Sequence, residues 1–229
     1  MQSMHGMPIA MTISQLRKKI QGNEKPLIVL IGGMSGTGKS LTAVQLAAIL
    51  HLPIVISSDQ IRDVMTLSNH SKILNARYTN AWKLFGKKLS GRNFEQGVLE
   101  HSKAVRPGVI KVIKDCLTRG EDIIVEGTHL LPSLYKTFFD AIVLHFLLVT
   151  HEAQYHQQML REKYEQRHSI PKLYSSEKIR VIRLVQDVLI RDAERSRSII
   201  VVSRSVASNC KAIENVLKKT YMSGSNTSS

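Results

Sequence analysis

Eight consecutive residues, Gly33-Met34-Ser35-Gly36-Thr37-Gly38-Lys39-Ser40, put three glycines, three hydroxyls and a lysine into one short turn. They fit G-x-x-x-x-G-K-[ST] at every fixed position, directly after the apolar run LIVLI and directly before a run with helical spacing. Glycines allow backbone conformations that aim successive N–H groups into one concavity, which makes a nest for anions. A helix starting at this point adds the partial positive charge of its N-terminus. Lys39 has the reach for the β- and γ-phosphates of ATP or GTP, and the Ser40 hydroxyl can ligate Mg²⁺. Residues 33–41, ending at Leu41, are therefore the candidate nucleotide-binding segment. The alternative at this point is a glycine-rich strand-to-helix turn that holds nothing.

A transferable phosphoryl group needs an acceptor site. The stretch Ser57-Ser58-Asp59-Gln60-Ile61-Arg62 follows a second apolar run. In a parallel sheet the carboxyl ends of the strands face the ligand crevice. Asp59 is thus a candidate to take the proton from an attacking hydroxyl, and Arg62, one helical turn on, to hold an anionic group of the acceptor. The plain alternative is an N-cap aspartate with a solvent-facing arginine. Glu126 ends a third apolar run and precedes Gly127-Thr128-His129. It is a candidate for fixing Mg²⁺ or orienting the nucleophile, with His129 as a candidate substrate contact; a strand-terminal surface glutamate and a polar crevice histidine are the alternatives. Arg161, Lys163 and Arg167 sit in a polar stretch where cations could close over the phosphoryl group in flight, Arg161 and Arg167 being the catalytic candidates. They could equally be a solvated helix face. Lys83, Lys87, Lys88, Arg92 and Arg106 form a basic group between the second and third runs, with Arg92 the candidate contact to a substrate phosphate. Tyr78, Trp82 and Phe85 share helical spacing and read as core.

These residues need a scaffold. LIVLI (27–31) reads as a fully buried strand, and IVIS (54–57), EDIIVE (121–126), AIVLHFLLV (141–149) and IIVV (199–202) read as four further strands. Helices are expected over 37–50, with Leu41, Val44, Leu46, Ala47, Ala48 and Leu50 on its apolar side, and after Asp59, capped by Ser58 and Asp59. Over 68–120 the expected helices break at Gly86, Gly91 and Pro107. Further helices are expected from Pro132, over 151–168, 176–197 and 206–221, and a short leading helix is capped by Thr12 or Ser14 and closed by Gly22. Strands alternating with helices imply right-handed crossovers. The expected fold is α/β of the P-loop NTPase, kinase-like type: a parallel five-stranded sheet with helices on both faces, a helical insertion and a lid. Residues 1–26 read as a leader, 27–221 as one domain and 222–229 as a flexible tail.

Composition narrows the setting. The chain has 229 residues, 43% of them hydrophobic, enough for one large core. No apolar run approaches the roughly 18 residues that cross a bilayer. The charges near the N-terminus follow its short apolar patch, the wrong order for a secretory signal. Cys116 and Cys210 stand far apart and read as buried free thiols in a reducing compartment, the cytoplasm. Lys and Arg total 32 against 18 Asp and Glu, a net +14, which suits anionic partners.

The segments LIVLIGGMSGTGKS, VISSDQIRDVM, YTNAWKLFG, NFEQ and IIVEGTHLLP occur in the order and spacing of the 2-phosphoglycerate kinase family, which the chain resembles over roughly residues 27–202. The glycine turn is generic to many kinases; ISSDQIRDVM and EGTHLLP are more specific. The resemblance implies transfer from ATP, with Mg²⁺, to 2-phosphoglycerate, giving 2,3-bisphosphoglycerate. It carries Gly33, Gly36, Gly38, Lys39 and Ser40 over as the phosphate and Mg²⁺ site, Asp59 as base or Mg²⁺-linked carboxylate, Arg62 as an anion contact, and Glu126 and His129 as the motif after the third strand. Archaeal members have an extra N-terminal regulatory region where this chain shows only a short leader, so control by such a region is not expected. Another phosphorylated small molecule, such as an inositol phosphate, is a related acceptor. Two other readings compete. A polynucleotide 5′-hydroxyl kinase shares the glycine turn and the Asp-x-x-Arg pair and suits +14, but aromatic residues are only 5% of the chain. A nucleotide-binding regulatory protein without turnover would need no acceptor site. No membrane partner is expected, and the oligomeric state is open.

Overall fold

The computed structural model describes residues 11–86, 90–135, 140–165 and 175–223. Five strands, β1 (Leu27–Gly33), β2 (Ile54–Ser57), β3 (Ile123–Gly127), β4 (Ile142–Val149) and β5 (Ile199–Val202), form one parallel sheet in the order β2-β3-β1-β4-β5. β1 lies at the centre and is buried along its whole length, which is why it carries no polar side chain. Its alternate residues feed two cores. Leu27, Val29 and Ile31 pack with Leu16 and Ile20 of α1 (Ile13–Gln21), Leu46 of α2 (Lys39–Leu50) and Ile213 and Leu217 of α8 (Val206–Ser223). Ile28 and Leu30 face Val105, Val109 and Ile113 of α5 (Gly91–Thr118) on the opposite side. Beyond them, α6 (Ala153–Glu165) and α7 (Ser176–Ser196) close the second face over Leu147 and Val149. Between β2 and β3 lies the expected helical insertion: α3 (Ser58–Ser68), the short α4 (Lys72–Asn75), a 3₁₀ segment (Tyr78–Leu84) and α5. Among the described residues, no helix is long and apolar enough to cross a membrane.

Several local expectations are corrected. Leu41 and Val44 do not face the core; they are 59% and 61% exposed. α2 is instead rotated to bury Thr42, Ala43, Leu46, Ala47 and Leu50, because its first residue, Lys39, is itself drawn into the sheet's crevice. α5 is not broken at Gly91 or Pro107: Gly91 opens it behind the Ser90 cap, and Pro107 lies inside it. The proline forfeits one backbone hydrogen bond, and the burial of Val105, Val109 and Ile113 on the sheet outweighs that loss. Ser57, not Ser58 or Asp59, caps α3; its Oγ accepts from the Asp59 N–H at 3.3 Å, and Ser58 and Asp59 form the first turn. Pro132 opens only a 3₁₀ turn, Pro132–Leu134. Thr12 does cap α1, with Gln15 returning the bond to the Thr12 N–H. Cys116 and Cys210 are both buried and free.

Candidate functional site

The glycine turn leaves β1 at the sheet's carboxyl edge, in the middle of the strand order, where α/β sheets open a crevice. Gly36 and Gly38 have φ of +85° and +75°, a region that side chains disfavour. Gly38 is also the N-cap of α2 and supplies no side chain to occupy the helix's first N–H groups. Among the described residues, the N–H groups of Gly36, Gly38, Lys39 and Ser40 have no acceptor, whereas Thr37 closes the turn by donating its N–H and its hydroxyl to the Met34 carbonyl. The result is a set of free donors beside a helix N-terminus, the arrangement that suits a phosphate.

Lys39 is 5% exposed and Glu126 is 6% exposed, and they face each other across the crevice with Nζ 4.0 Å from Oε2. β2 and β3 place Ser57 beside Glu126 in register, so the carboxylate and the start of α3 share one end of the sheet. Glu126 Oε2 is buried and accepts no hydrogen bond. A Mg²⁺ bound with a nucleotide keeps several waters and needs only one or two protein ligands. The exposed Ser40 hydroxyl on the first turn of α2 and the unsatisfied Glu126 oxygen fit that role.

Asp59 meets the end of β3 from the other side. Its Oδ1 stands 3.5 Å from His129 Nδ1, and the Thr128 hydroxyl donates to the same oxygen at 3.5 Å; half of the side chain remains open to solvent. His129 is fully buried and hydrogen-bonds Ser58 Oγ across 3.0 Å. Its ring stacks on His101 with centroids 5.0 Å apart, and Tyr78 meets both rings edge-on. Burial holds His129 well below the usual imidazole range, assisted by His101, Arg62 and Lys39 nearby; burial lowers His101 as well. Both rings are therefore neutral near pH 7, and His101 donates its Nε2–H to the Ala76 carbonyl at 2.9 Å. Arg62 donates to that same carbonyl at 3.4 Å and pairs with Asp63. Gly127 at φ +151° lets α3 approach so closely, since a Cβ there would lie 1.8 Å from Ser58 Oγ.

Of the residues singled out in the sequence, the fold brings together Lys39, Glu126, Asp59, Arg62 and His129. Arg161 is exposed on α6 and Arg92 exposed at the start of α5, and neither contacts those five among the described residues. Arg167, Lys87 and Lys88 lie outside the described residues. Arg106 donates to the Leu134 carbonyl at 2.7 Å, and Lys83 lies 5.7 Å over the Trp82 ring, so both have structural partners. Tyr78 is core, as its spacing suggests. Sequence reasoning missed Ser58, His101 and Tyr78 as a polar cluster behind Asp59. It also missed His156 on α6, whose Nε2–H donates to the Ser35 carbonyl at 2.7 Å. A histidine in a polar helix carries no signal of that contact.

This is the crevice of a P-loop nucleotide-binding fold, and the comparisons agree. Residues 27–189 match the family described as an AAA domain, and the chain belongs to that family. It is similar to the 2-phosphoglycerate kinase of Methanocaldococcus jannaschii, 31% identical over 176 residues, covering 75% of this chain and 56% of that protein. The 2-phosphoglycerate kinase of Pyrococcus furiosus is 29% identical over 203 residues, covering 85% of this chain and 65% of that one. The chain thus spans 56–65% of the length of these two relatives. The resemblance carried by the motifs is borne out by them. Among solved structures, shikimate kinase from Acinetobacter baumannii in complex with shikimate has a TM-score of 0.50 and 13% identity, covering 89% of this chain and 98% of that chain. That likeness is one of fold.

Proposed function

We propose that this chain is an ATP-dependent kinase that transfers the γ-phosphoryl group to a hydroxyl of a small, already anionic metabolite. The acceptor named by its relatives is 2-phosphoglycerate, and the product would be 2,3-bisphosphoglycerate. The observation that carries the reading is the convergence of two machineries at one sheet edge. The buried Lys39–Glu126 pair closes the phosphate turn, and Asp59, approached at one oxygen to 3.5 Å by the Thr128 hydroxyl and by His129 Nδ1, stands at the neighbouring strand end. A pure nucleotide switch has no use for the second.

In this reading the free N–H groups of the turn and Lys39 hold the β- and γ-phosphates and neutralise charge as it spreads in the transition state. Ser40 and Glu126 would hold Mg²⁺, which when bound would supply further charge neutralisation at the phosphates. Asp59 receives the proton of the acceptor hydroxyl as its oxygen bonds to the γ-phosphorus and the bridge to ADP breaks. Arg62 faces the acceptor's own anionic group, and the cations of 161–167 serve as the lid. The neutral His129, fully buried, sits behind Asp59 and supports it and Ser58 without itself reaching the acceptor.

An ADP-release assay with Mg·ATP tests this against 2-phosphoglycerate, 3-phosphoglycerate, inositol phosphates and a 5′-hydroxyl oligonucleotide. Selective turnover of 2-phosphoglycerate is expected. Turnover of the oligonucleotide alone would overturn the small-molecule assignment, and absence of turnover with every acceptor despite tight ATP binding would favour a regulatory role.

A further inference from the structure

α6 does not merely follow β4; it is seated on the phosphate turn. His156 is fully buried and its Nε2–H donates to the Ser35 carbonyl at 2.7 Å. A Cβ on Gly36 would lie 2.9 Å from both His156 Cδ2 and Leu160 Cγ, and Leu160 is itself 1% exposed. Helix and turn therefore touch at Gly36 without room for a methyl group.

The Ser35–Gly36 peptide is trans, so its C=O and the Gly36 N–H point to opposite sides. Holding the carbonyl toward α6 turns the Gly36 N–H away from α6. That N–H has no acceptor among the described residues, like those of Gly38, Lys39 and Ser40. A glycine at φ +85° has little of its own to resist rotation of that peptide. If the peptide turned over, a carbonyl oxygen would replace a donor in the anion nest, which is worse than losing the donor alone.

We propose that His156 is a positioning residue for phosphate binding: it locks the Ser35–Gly36 peptide with its N–H available to the nucleotide's phosphates. The inference rests on the reading of residues 33–40 as a nucleotide site but not on any acceptor. It also makes nucleotide binding and the seating of α6 mutually dependent, since each favours the arrangement the other needs. Neutral imidazole suffices for the bond, and burial keeps His156 below its ordinary value.

The test is titration of the full chain with Mg·ADP, read as Kd, for His156→Leu, His156→Gln and His156→Asn. The Gln amide can present an N–H where Nε2 stands, whereas the shorter Asn amide reaches only the Nδ1 position. His156→Leu should weaken ADP binding about ten-fold or more, the worth of one buried hydrogen bond. His156→Gln should restore most of it and His156→Asn should not. Should the leucine variant fail to fold, the Gln–Asn contrast decides the matter alone. Equal affinity in those two variants, or a leucine variant that binds as tightly as the unaltered chain, overturns the proposal. If the unaltered chain itself binds no ADP, the phosphate-site reading falls and this inference with it.

Discussion

Lys39 and Glu126 lie on different elements, the first turn of α2 and the end of β3, yet their charged atoms are 4.0 Å apart in a nearly solvent-free crevice. Each is the other's main compensation for burial. Glu126 Oε2 has no hydrogen-bond donor, so without Lys39 it would be a buried, unpaired charge.

A double-mutant cycle reads this coupling directly. Lys39→Met and Glu126→Gln should each destabilise the chain by about 1–3 kcal/mol, and the double variant by less than their sum. Chemical denaturation measures it; strict additivity would mean that the two charges do not interact. In the kinase assay Lys39→Met should lower turnover by at least roughly a hundred-fold, as expected on removing a cation from the transferring phosphates.

Asp59 and Arg62 should separate acceptor chemistry from nucleotide binding. Asp59→Asn keeps the shape and the contacts at Oδ1 but removes the base, so kcat should fall by about 10²–10⁴ while ADP affinity stays unchanged. Arg62→Ala should raise KM for the acceptor more than for ATP. An Arg62 effect confined to ATP would break its assignment to the acceptor.

Gly127 tests the close approach of α3 to β3. Gly127→Ala combines a disfavoured φ with a methyl group 1.8 Å from Ser58 Oγ. A loss of about 1–3 kcal/mol is expected from thermal unfolding. Adding Ser58→Ala should recover part of it, because the hydroxyl is removed while the strained φ remains. Absence of any recovery would show that the contact with the Ser58 hydroxyl does not set the cost.

The buried histidines dictate a response to acid. Burial lowers His101, His129 and His156 below the ordinary imidazole value and takes His145 down to about 4. In the unfolded chain these rings titrate near 6.5, so below that pH the unfolded state binds more protons. Stability should therefore be level above about pH 6.5 and should fall as the pH drops toward about 4. Melting temperatures recorded from about pH 7.5 down to about pH 5 check the sign; a flat profile would contradict neutral burial of these rings.

Much of the architecture was written locally. Five apolar runs separated by helical stretches point to a parallel sheet, most plainly at LIVLI, whose strand is buried along its whole length. The strands IVIS and IIVV begin and end where their sequences indicate. The phosphate turn is legible for the same reason: glycine, lysine and serine at fixed offsets are a backbone device whose signature lies within eight residues.

What lies across the crevice was not legible. Lys39 and Glu126 are 87 positions apart, and Ser58 and His129 are 71 apart; their meeting depends on β2 and β3 pairing in one register. The rotation of α2, which exposes Leu41 and Val44, follows from where Lys39 must go and not from the helix's own apolar pattern. The continuity of α5 through Pro107 follows from burial against the sheet, which overrides the local cost. His156 reaches Ser35 only because α6 folds back from β4 over the turn. By itself, the sequence determined the strands, the phosphate turn and a family resemblance, since these rest on local conformation and periodicity. Only the tertiary structure decided which charges are buried together and which histidines stand behind them, because those contacts join residues that chain proximity never brings near.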